Sequence, residues 1–350
     1  MIVKSADQLS DLVEKIFVAA GADDGNAKVV ADHLVLASLS GVDTHGVLKV
    51  PGYIENIRKG EIVPAAKPEV LSEGPTRVLV KGNWTFGHVA AAFAMRAGIA
   101  KARESGVAIV GIVEAHHMGR VGHFTELAAS EGMISMVWMG GQGEDNGFAV
   151  PHGGRERASG LHTNPISLGF PAGDGWPMMF DYATTQVAGT KVLLARDRGE
   201  ALPPGCIVDK VGNPSIDPND FFTGGGMLPF GGHKGYAMMM ATEFLGRIFT
   251  RADAFSDSDH GGVVFRHQGV SMIVIRADLF QSFEAYEGRA EEMRQRVRSV
   301  APAPGFDEVL APGDLEGRTR VTRQRDGIPL RDDVWEKIAE TAASLGVAVD

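Results

Sequence analysis

Apolar positions recur at helical spacing at the start of the chain. Leu9, Leu12, Val13, Ile16 and Phe17 share one face after Ser5 and Gln8, the two halves of a capping box, so a helix is predicted to begin near residue 6. A second helix is expected over 24–38. Between 60 and 74 the pattern lapses, and Pro64, Pro68 and the following Pro75 mark a linker into a different kind of structure. Beyond it, β-rich runs at 77–80, 107–113 and 134–139 alternate with helical stretches at 89–104 and 124–130, the signature of an α/β layer. Further helices are expected over 185–196 and 235–250, a buried strand over 270–275, and two amphipathic helices around 283–300 and 333–345. The loop between those last two holds Pro302, Pro304, Pro312 and Gly313. The expected organisation is a helical domain built from both chain ends, 1–74 with 281–350, around an α/β domain over 75–280.

Composition narrows the function classes. With 350 residues, 44% apolar and 22% charged, the chain is long enough for two modest domains and too apolar for disorder. The net charge of -10 comes without a Lys- or Arg-rich run, so nucleic acid is not an expected partner. A single cysteine, Cys206, cannot form an intrachain disulfide, and no leader-like apolar stretch precedes the first helix, so a cytoplasmic location is expected. Apolar stretches are broken well before the ~20 residues of a bilayer span. The membrane is therefore not an expected partner either.

Histidine and glycine cluster three times: in Gly41-Val42-Asp43-Thr44-His45-Gly46, followed by Lys49, in His116-His117-Met118-Gly119-Arg120, and in Gly231-Gly232-His233-Lys234-Gly235. His117 follows a predicted strand and precedes a predicted helix, where α/β sheets open their ligand crevice, and an imidazole there can move a proton at neutral pH. A backbone-bonded structural histidine is the plain alternative. The Gly231–Gly235 run opens a predicted helix whose free amides, with Lys234, attract an anion, although a solvated turn reads equally well. Asp181 ends an apolar run, which makes it a candidate either to orient a histidine or to cap a helix. The histidines also admit a zinc hydrolase, but their spacings match no ligand pattern such as His-Glu-x-x-His, and no metal is expected. Gly141-Gln142-Gly143-Glu144-Asp145-Asn146-Gly147 follows a strand as a dinucleotide fingerprint does. No helical spacing follows it, so a Rossmann turn is not expected.

Seven ordered segments resemble the type-2 malate/L-lactate dehydrogenase family, which also includes ureidoglycolate dehydrogenase, 2,3-diketogulonate reductase, sulfolactate dehydrogenase and Δ1-piperideine-2-carboxylate reductase. They are Gly41–Gly46 with Pro51 and Tyr53, His116–Gly119, Thr163–Ile166, Asp181–Thr185, Asp209–Pro214, Leu228–Gly235 and Pro312–Asp314. The resemblance implies an α/β fold with a non-Rossmann nicotinamide-binding domain and a mixed, largely antiparallel sheet. It implies a homodimeric NAD- or NADP-dependent oxidoreductase acting on a small carboxylate, either a 2-hydroxy acid and its 2-oxo acid or a cyclic imino acid. Cofactor contacts are implied for Phe180, Asp181, Tyr182, Ala183, Thr184, Thr185, His233, Lys234, Gly313, Asp314 and Leu315. His45 or His117 is implied as proton donor with Asp181 in support, and Thr44, Lys49 and Thr163 are expected around the substrate. Many members have arginine where Ser40 and Lys49 stand, and His162 and the Gly140–Asp145 loop have no clear counterpart. Those departures leave the substrate open, and a cofactor-binding protein without turnover is a further alternative.

Overall fold

The computed structural model describes residues 1–143, 147–173 and 175–349. Glu144, Asp145 and Asn146 of the glycine-rich loop lie outside the described residues. The first helix, Ala6–Ala19, carries the predicted capping box: the Gln8 amide donates to the Ser5 hydroxyl at 3.1 Å, and the Ser5 amide donates to the Gln8 carbonyl oxygen at 2.9 Å. Asp23 caps the second helix, Asp24–Leu39, by accepting from the Gly25 and Asn26 amides.

The two chain ends share one core. Leu9, Phe17, Leu34 and Ile54 pack in the same cluster as Ile328, Leu330, Ile338 and Ala342, and strand Ile2–Lys4 pairs antiparallel with Ile328–Leu330. A second core fills the space between the main sheet and the helices Gly87–Ser105 and Gly122–Ser130.

Among the described residues the main sheet has seven strands, in the order Glu69–Gly74, Arg77–Lys81, Val107–Val113, Gly269–Arg276, Met133–Gly140, Ile166–Phe170 and Met178–Tyr182. All neighbours run antiparallel except Arg77–Lys81 and Val107–Val113, which lie parallel because helix Gly87–Ser105 carries the chain back between them. The sheet is thus mixed and mainly antiparallel, as expected. A small three-stranded sheet, Gly226–Met227, Ile207–Val208 and Pro214–Ser215, packs with helices Gly189–Arg198 and Pro218–Phe222 around Val192, Phe221 and the buried Cys206.

Four local expectations need correction. Glu69–Gly74, read as linker, is the edge strand of the main sheet, and its side chains are mostly exposed, so no apolar alternation announces it. The helix expected from 185 begins at Gly189, because Thr185 instead forms an antiparallel bridge with Pro229. The helix expected over 235–250 starts at His233 and widens into a π turn over Phe244–Ile248, which brings Gly246 onto the Gly140 backbone, where a Cβ would collide. Finally, the loop after Pro312 is in part a helix, Asp314–Asp326. Its Arg318, Arg320, Arg323 and Arg325 leave no apolar face, and tertiary ion pairs of Arg320 with Glu126 and Arg323 with Asp43 dock it on the body.

Candidate active site

The site begins where strand Val107–Val113 ends. Glu114 turns the chain with φ at +52°, its carbonyl accepting from the Trp84 amide, and the loop Ala115–Arg120 then crosses the start of helix Gly87–Ser105. Gly87 is required there, since a Cβ would run into the carbonyls of His116 and His117. Gln268, on the turn before the central strand, donates to the carbonyls of Ala115 and His116 at 3.0 and 3.1 Å. These contacts fix the position of His117.

Two groups converge on Nδ1 of His117: the Tyr53 hydroxyl at 2.5 Å and the Gly119 amide at 3.3 Å. An amide N–H can only donate, so Nδ1 is the bare nitrogen and the imidazole carries its proton on Nε2. The Tyr53 hydroxyl then donates to His117 and accepts from Nε2 of the buried His88 at 3.2 Å. Burial pushes the Tyr53 pKa up, which keeps its proton in place. Gly119, with φ at +72°, leaves room for the His33 and His88 rings that back this arrangement.

His45 lies beside His117, with ring centroids 5.8 Å apart and planes 16° from parallel. Residues 43–49 form two short 3-10 turns, Asp43–His45 and Val47–Lys49, and the α-helix starts only at Val50. The turns are anchored from outside: Arg323 grips Asp43 at 2.6 and 3.1 Å, and Gly46 meets helix Asp24–Leu39 so closely that a Cβ would strike Ser38. Thr44 contacts Nδ1 of His45 at 3.1 Å through its hydroxyl, which can donate or accept, so His45 is free to gain or lose a proton. Lys49 donates to Thr190 at 3.3 Å and pairs with no carboxylate among the described residues. Burial, then Lys49 and Arg120, pulls the His45 pKa down to about 4. Burial, then Lys49 and His45, holds His117 well below the usual histidine range. Both rings are neutral at neutral pH, next to a partly buried ammonium whose own pKa burial lowers.

Asp181 does not orient either imidazole. Its carboxylate accepts from the Gly122 amide at 2.8 Å, at the N-terminus of helix Gly122–Ser130, with Arg120 Nε 4.0 Å away. Asp181 also does not cap the segment that follows it, as the alternative reading expected: the next helix starts at Gly189, and the carboxylate meets the first amide of a helix that precedes it in sequence. Arg120 is buried and spread over Glu126, Ser40 and the Met179 sulfur.

The remaining candidate stretches form one contiguous region. The Phe230 amide donates to the Thr184 carbonyl at 3.0 Å, Tyr182 packs edge-on against Phe230 at 5.6 Å, and His233 and Lys234 follow directly. Beside them the Met179 amide donates to the Pro312 carbonyl, which sets Gly313 against strand Met178–Tyr182. Thr184 in turn binds the Thr163 carbonyl with both its amide and its hydroxyl. Phe180 packs against Phe170, and Leu315 stands exposed. Asp314 departs from expectation: its carboxylate is fully buried and held by Trp176, Arg298 and the Ala311 amide, so it is not free to meet a ligand.

This region has features that suit a dinucleotide phosphate. Gly231 and Gly232 adopt positive φ, with open space around Gly231, and the first amide of the next helix to find a backbone carbonyl is Tyr236, bonded to Gly232. The preceding amides point out of the helix N-terminus beside the exposed Lys234, which has no ion-pair partner among the described residues. No group of three His, Cys, Asp or Glu among the described residues is arranged to hold a metal ion.

A family model described as malate/L-lactate dehydrogenase matches residues 4–339. The chain belongs to this family. Among relatives, it is 32% identical over 349 residues to hydroxycarboxylate dehydrogenase B of Escherichia coli, covering 98% of this chain and 94% of that one. It is 33% identical over 350 residues to malate/(S)-sulfolactate dehydrogenase of Methanothermus fervidus, covering 99% of each. Among solved structures, malate dehydrogenase from Entamoeba histolytica superposes with a TM-score of 0.92 at 26% identity, over 99% of both chains. Δ1-Piperideine-2-carboxylate reductase from Pseudomonas syringae superposes with 0.86 at 32% identity, over 98% of this chain and 100% of that one.

As a member of the malate/L-lactate dehydrogenase family the protein is an oxidoreductase, and a dehydrogenase of this kind implies a nicotinamide cofactor. No helix among its described residues is long and apolar enough to cross a membrane. Three residues packed around the groups of the site carried no local signal in the sequence: His88, Gln268 and Arg320. Tyr53 stands in the first of the segments that resemble the family. The other three make their contacts there across 35 residues of chain for His88, 152 for Gln268 and 280 for Arg320, from which no local pattern arises.

Proposed function

We propose that the protein moves a hydride between a nicotinamide dinucleotide, NAD or NADP, and a small 2-hydroxy acid or its 2-oxo acid. Lys49 carries this reading: an ammonium beside two neutral imidazoles, with a single hydroxyl partner and no balancing carboxylate among the described residues, suits an anionic substrate. Relatives named for hydroxycarboxylate, malate and sulfolactate support the same class. When bound, the dinucleotide supplies or accepts the hydride. His117, fixed with Nε2–H outward, donates a hydrogen bond to the substrate oxygen, as a neutral imidazole can do without giving up its proton. His45 takes the alcohol proton in oxidation and returns it in reduction. A bound carboxylate offsets the charge of Lys49 and so raises the His45 pKa when the proton is needed.

The test is a panel of 2-hydroxy acids, 2-oxo acids and cyclic imino acids with each dinucleotide, followed at the reduced-nicotinamide absorbance. The imino acids belong in it because of the likeness to the piperideine carboxylate reductase. No turnover on any carboxylate would overturn the reading. A non-Rossmann dinucleotide domain, a homodimer and a cytoplasmic location complete the proposal; the groove lined by Tyr236, Met240, Phe244 and Ile248, with Phe249 exposed nearby, supports pairing of two copies.

Two substitutions follow from this scheme. Lys49→Met should raise KM for the carboxylate about ten- to a hundredfold, the worth of a charge-assisted hydrogen bond. It should also shift the pH profile. Without the ammonium the His45 pKa rises from about 4, so the imidazolium persists to higher pH and the acid limb of oxidation moves upward. A profile and KM like those of the parent would place the substrate carboxylate elsewhere. Lys234→Ala should weaken the reduced dinucleotide roughly ten- to a hundredfold with kcat little changed, measured by direct binding. An unchanged dissociation constant would return Lys234 to the solvated-turn reading.

A further inference from the structure

The hydrogen-bond polarity around Thr163 can be read from one end. The carbonyls of Ala115 and His116 can only accept, and both take protons from Gln268 Nε2, so the Gln268 amide oxygen must face away from them. That oxygen accepts from Gln142 Nε2 at 3.0 Å. The orientation of Gln142 is thereby set, and its own oxygen accepts from the Thr163 hydroxyl at 3.3 Å. Both glutamines are buried, at 3% and 2% exposure, so water does not offer them alternatives. The Thr163 proton is thus committed. Next to it, Nδ1 of His162 lies 3.2 Å from the Thr163 oxygen, whose proton points elsewhere, so Nδ1 carries the imidazole proton and donates. The buried Nε2 of His162 is then a bare acceptor without a partner, a smaller cost than an orphaned buried N–H. A hydroxyl oxygen has two lone pairs, and one remains.

We infer that Thr163 is an acceptor-only contact in the site, built to take an N–H or O–H donor and to disfavour a carboxylate oxygen, with Gln142 as the residue that sets this polarity. The inference rests on the dehydrogenase reading for its ligands and narrows the expectation that Thr163 lies around the substrate. Thr163 is only partly buried, and its carbonyl is bonded to Thr184 in the proposed dinucleotide-lining stretch, while its hydroxyl chain ends on the His116–His117 loop. Two donors fit that position. One is the carboxamide N–H of a nicotinamide ring, and the other is the hydroxyl of a 2-hydroxy acid.

Direct binding separates the two. In one arm the dinucleotide is compared with its nicotinic acid analogue, in which a carboxylate replaces the carboxamide. In the other a 2-hydroxy acid is compared with the same acid lacking the hydroxyl. In whichever arm supplies the donor, the unmodified protein should prefer the donor ligand by about tenfold, one hydrogen bond's worth. Thr163→Val should lose that preference by weakening the donor ligand, and Thr163→Ser should keep it. Gln142→Met should lose it in the opposite way in the dinucleotide arm: the freed Thr163 proton can turn to the ligand, so the carboxylate analogue binds more tightly than to the parent protein. Structural damage does not produce a gain in binding. If Gln142→Met does not fold, the Val and Ser pair decides alone. Preferences unchanged by Thr163→Val in both arms would overturn the inference. Absence of binding by any dinucleotide would instead count against the cofactor reading, and the hydroxy-acid arm would still decide the polarity of Thr163.

Discussion

His45→Ala is expected to lower kcat by about 10²–10⁴-fold while the dinucleotide dissociation constant stays within about twofold, because proton transfer by a positioned side chain is worth that much. The substitution removes the one imidazole of the pair whose protonation state the structure leaves free. His117→Ala should cost somewhat less, about 10²–10³-fold, the typical loss when one pre-aimed donor to a developing oxyanion is removed. The two also differ in pH behaviour. His45→Ala should flatten the acid limb of the oxidation profile, since the titrating base has gone, whereas His117→Ala should lower the whole profile without moving it. Steady-state rates across pH in both directions separate these outcomes. If His117→Ala abolishes the limb and His45→Ala leaves it, the two roles are reversed. If both keep near-parental turnover, neither imidazole handles the proton.

Asp314→Ala should destabilise the fold by about 3 kcal/mol, among the larger effects of any single change in this chain. The carboxylate is fully buried, and its removal strands the Arg298 guanidinium and the Trp176 indole N–H together. Burial alone would raise the Asp314 pKa, but Arg298, Trp176 and the Ala311 amide overcome it and lower it from 3.8 to about 2. A carboxylate depressed in this way contributes stability that is fully present above its unfolded pKa and is lost as pH falls through the folded one. The parent protein should therefore lose this contribution between about pH 4 and pH 2, and Asp314→Asn should remove that part of the acid dependence. Denaturant melts of the three proteins from pH 2 to 7 measure it. A parental midpoint for Asp314→Ala would mean that the helix Asp314–Asp326 is held by Arg320 and Arg323 alone.

Elements whose apolar period is local were legible in the chain. The capping box of the first helix, the strand Val107–Val113 and the central strand near 270–275 each bury a face that the sequence displays directly. Glycine was equally informative. Gly46 and Gly119 stand where a side chain or imidazole comes close, and clusters of glycine with histidine pointed to those places, whereas Gly87, which lies outside the clusters, shows its role only in the fold. Elements held by distant partners were not legible. The helix Asp314–Asp326 has an arginine-rich surface and is secured by Glu126 and Asp43, and the edge strand Glu69–Gly74 gains its structure from the pairing of its backbone. Propensity and period register what a segment buries by itself, and these two bury little.

The same division runs through the site. The sequence by itself determined which chemical groups are available: the paired imidazoles, the ammonium at Lys49, the glycine-rich start of the helix at His233, and the family to which they belong. The tertiary structure decided what each group does. It gave Asp181 a helix to cap instead of a histidine to orient, and turned Asp314 into a buried ion pair. It set the Nε2–H tautomer of His117 through Tyr53 and Gly119, and the polarity of Thr163 through Gln142 and Gln268. The physical reason is that protonation state and donor direction depend on burial and on partners across the fold, which no single stretch of chain contains.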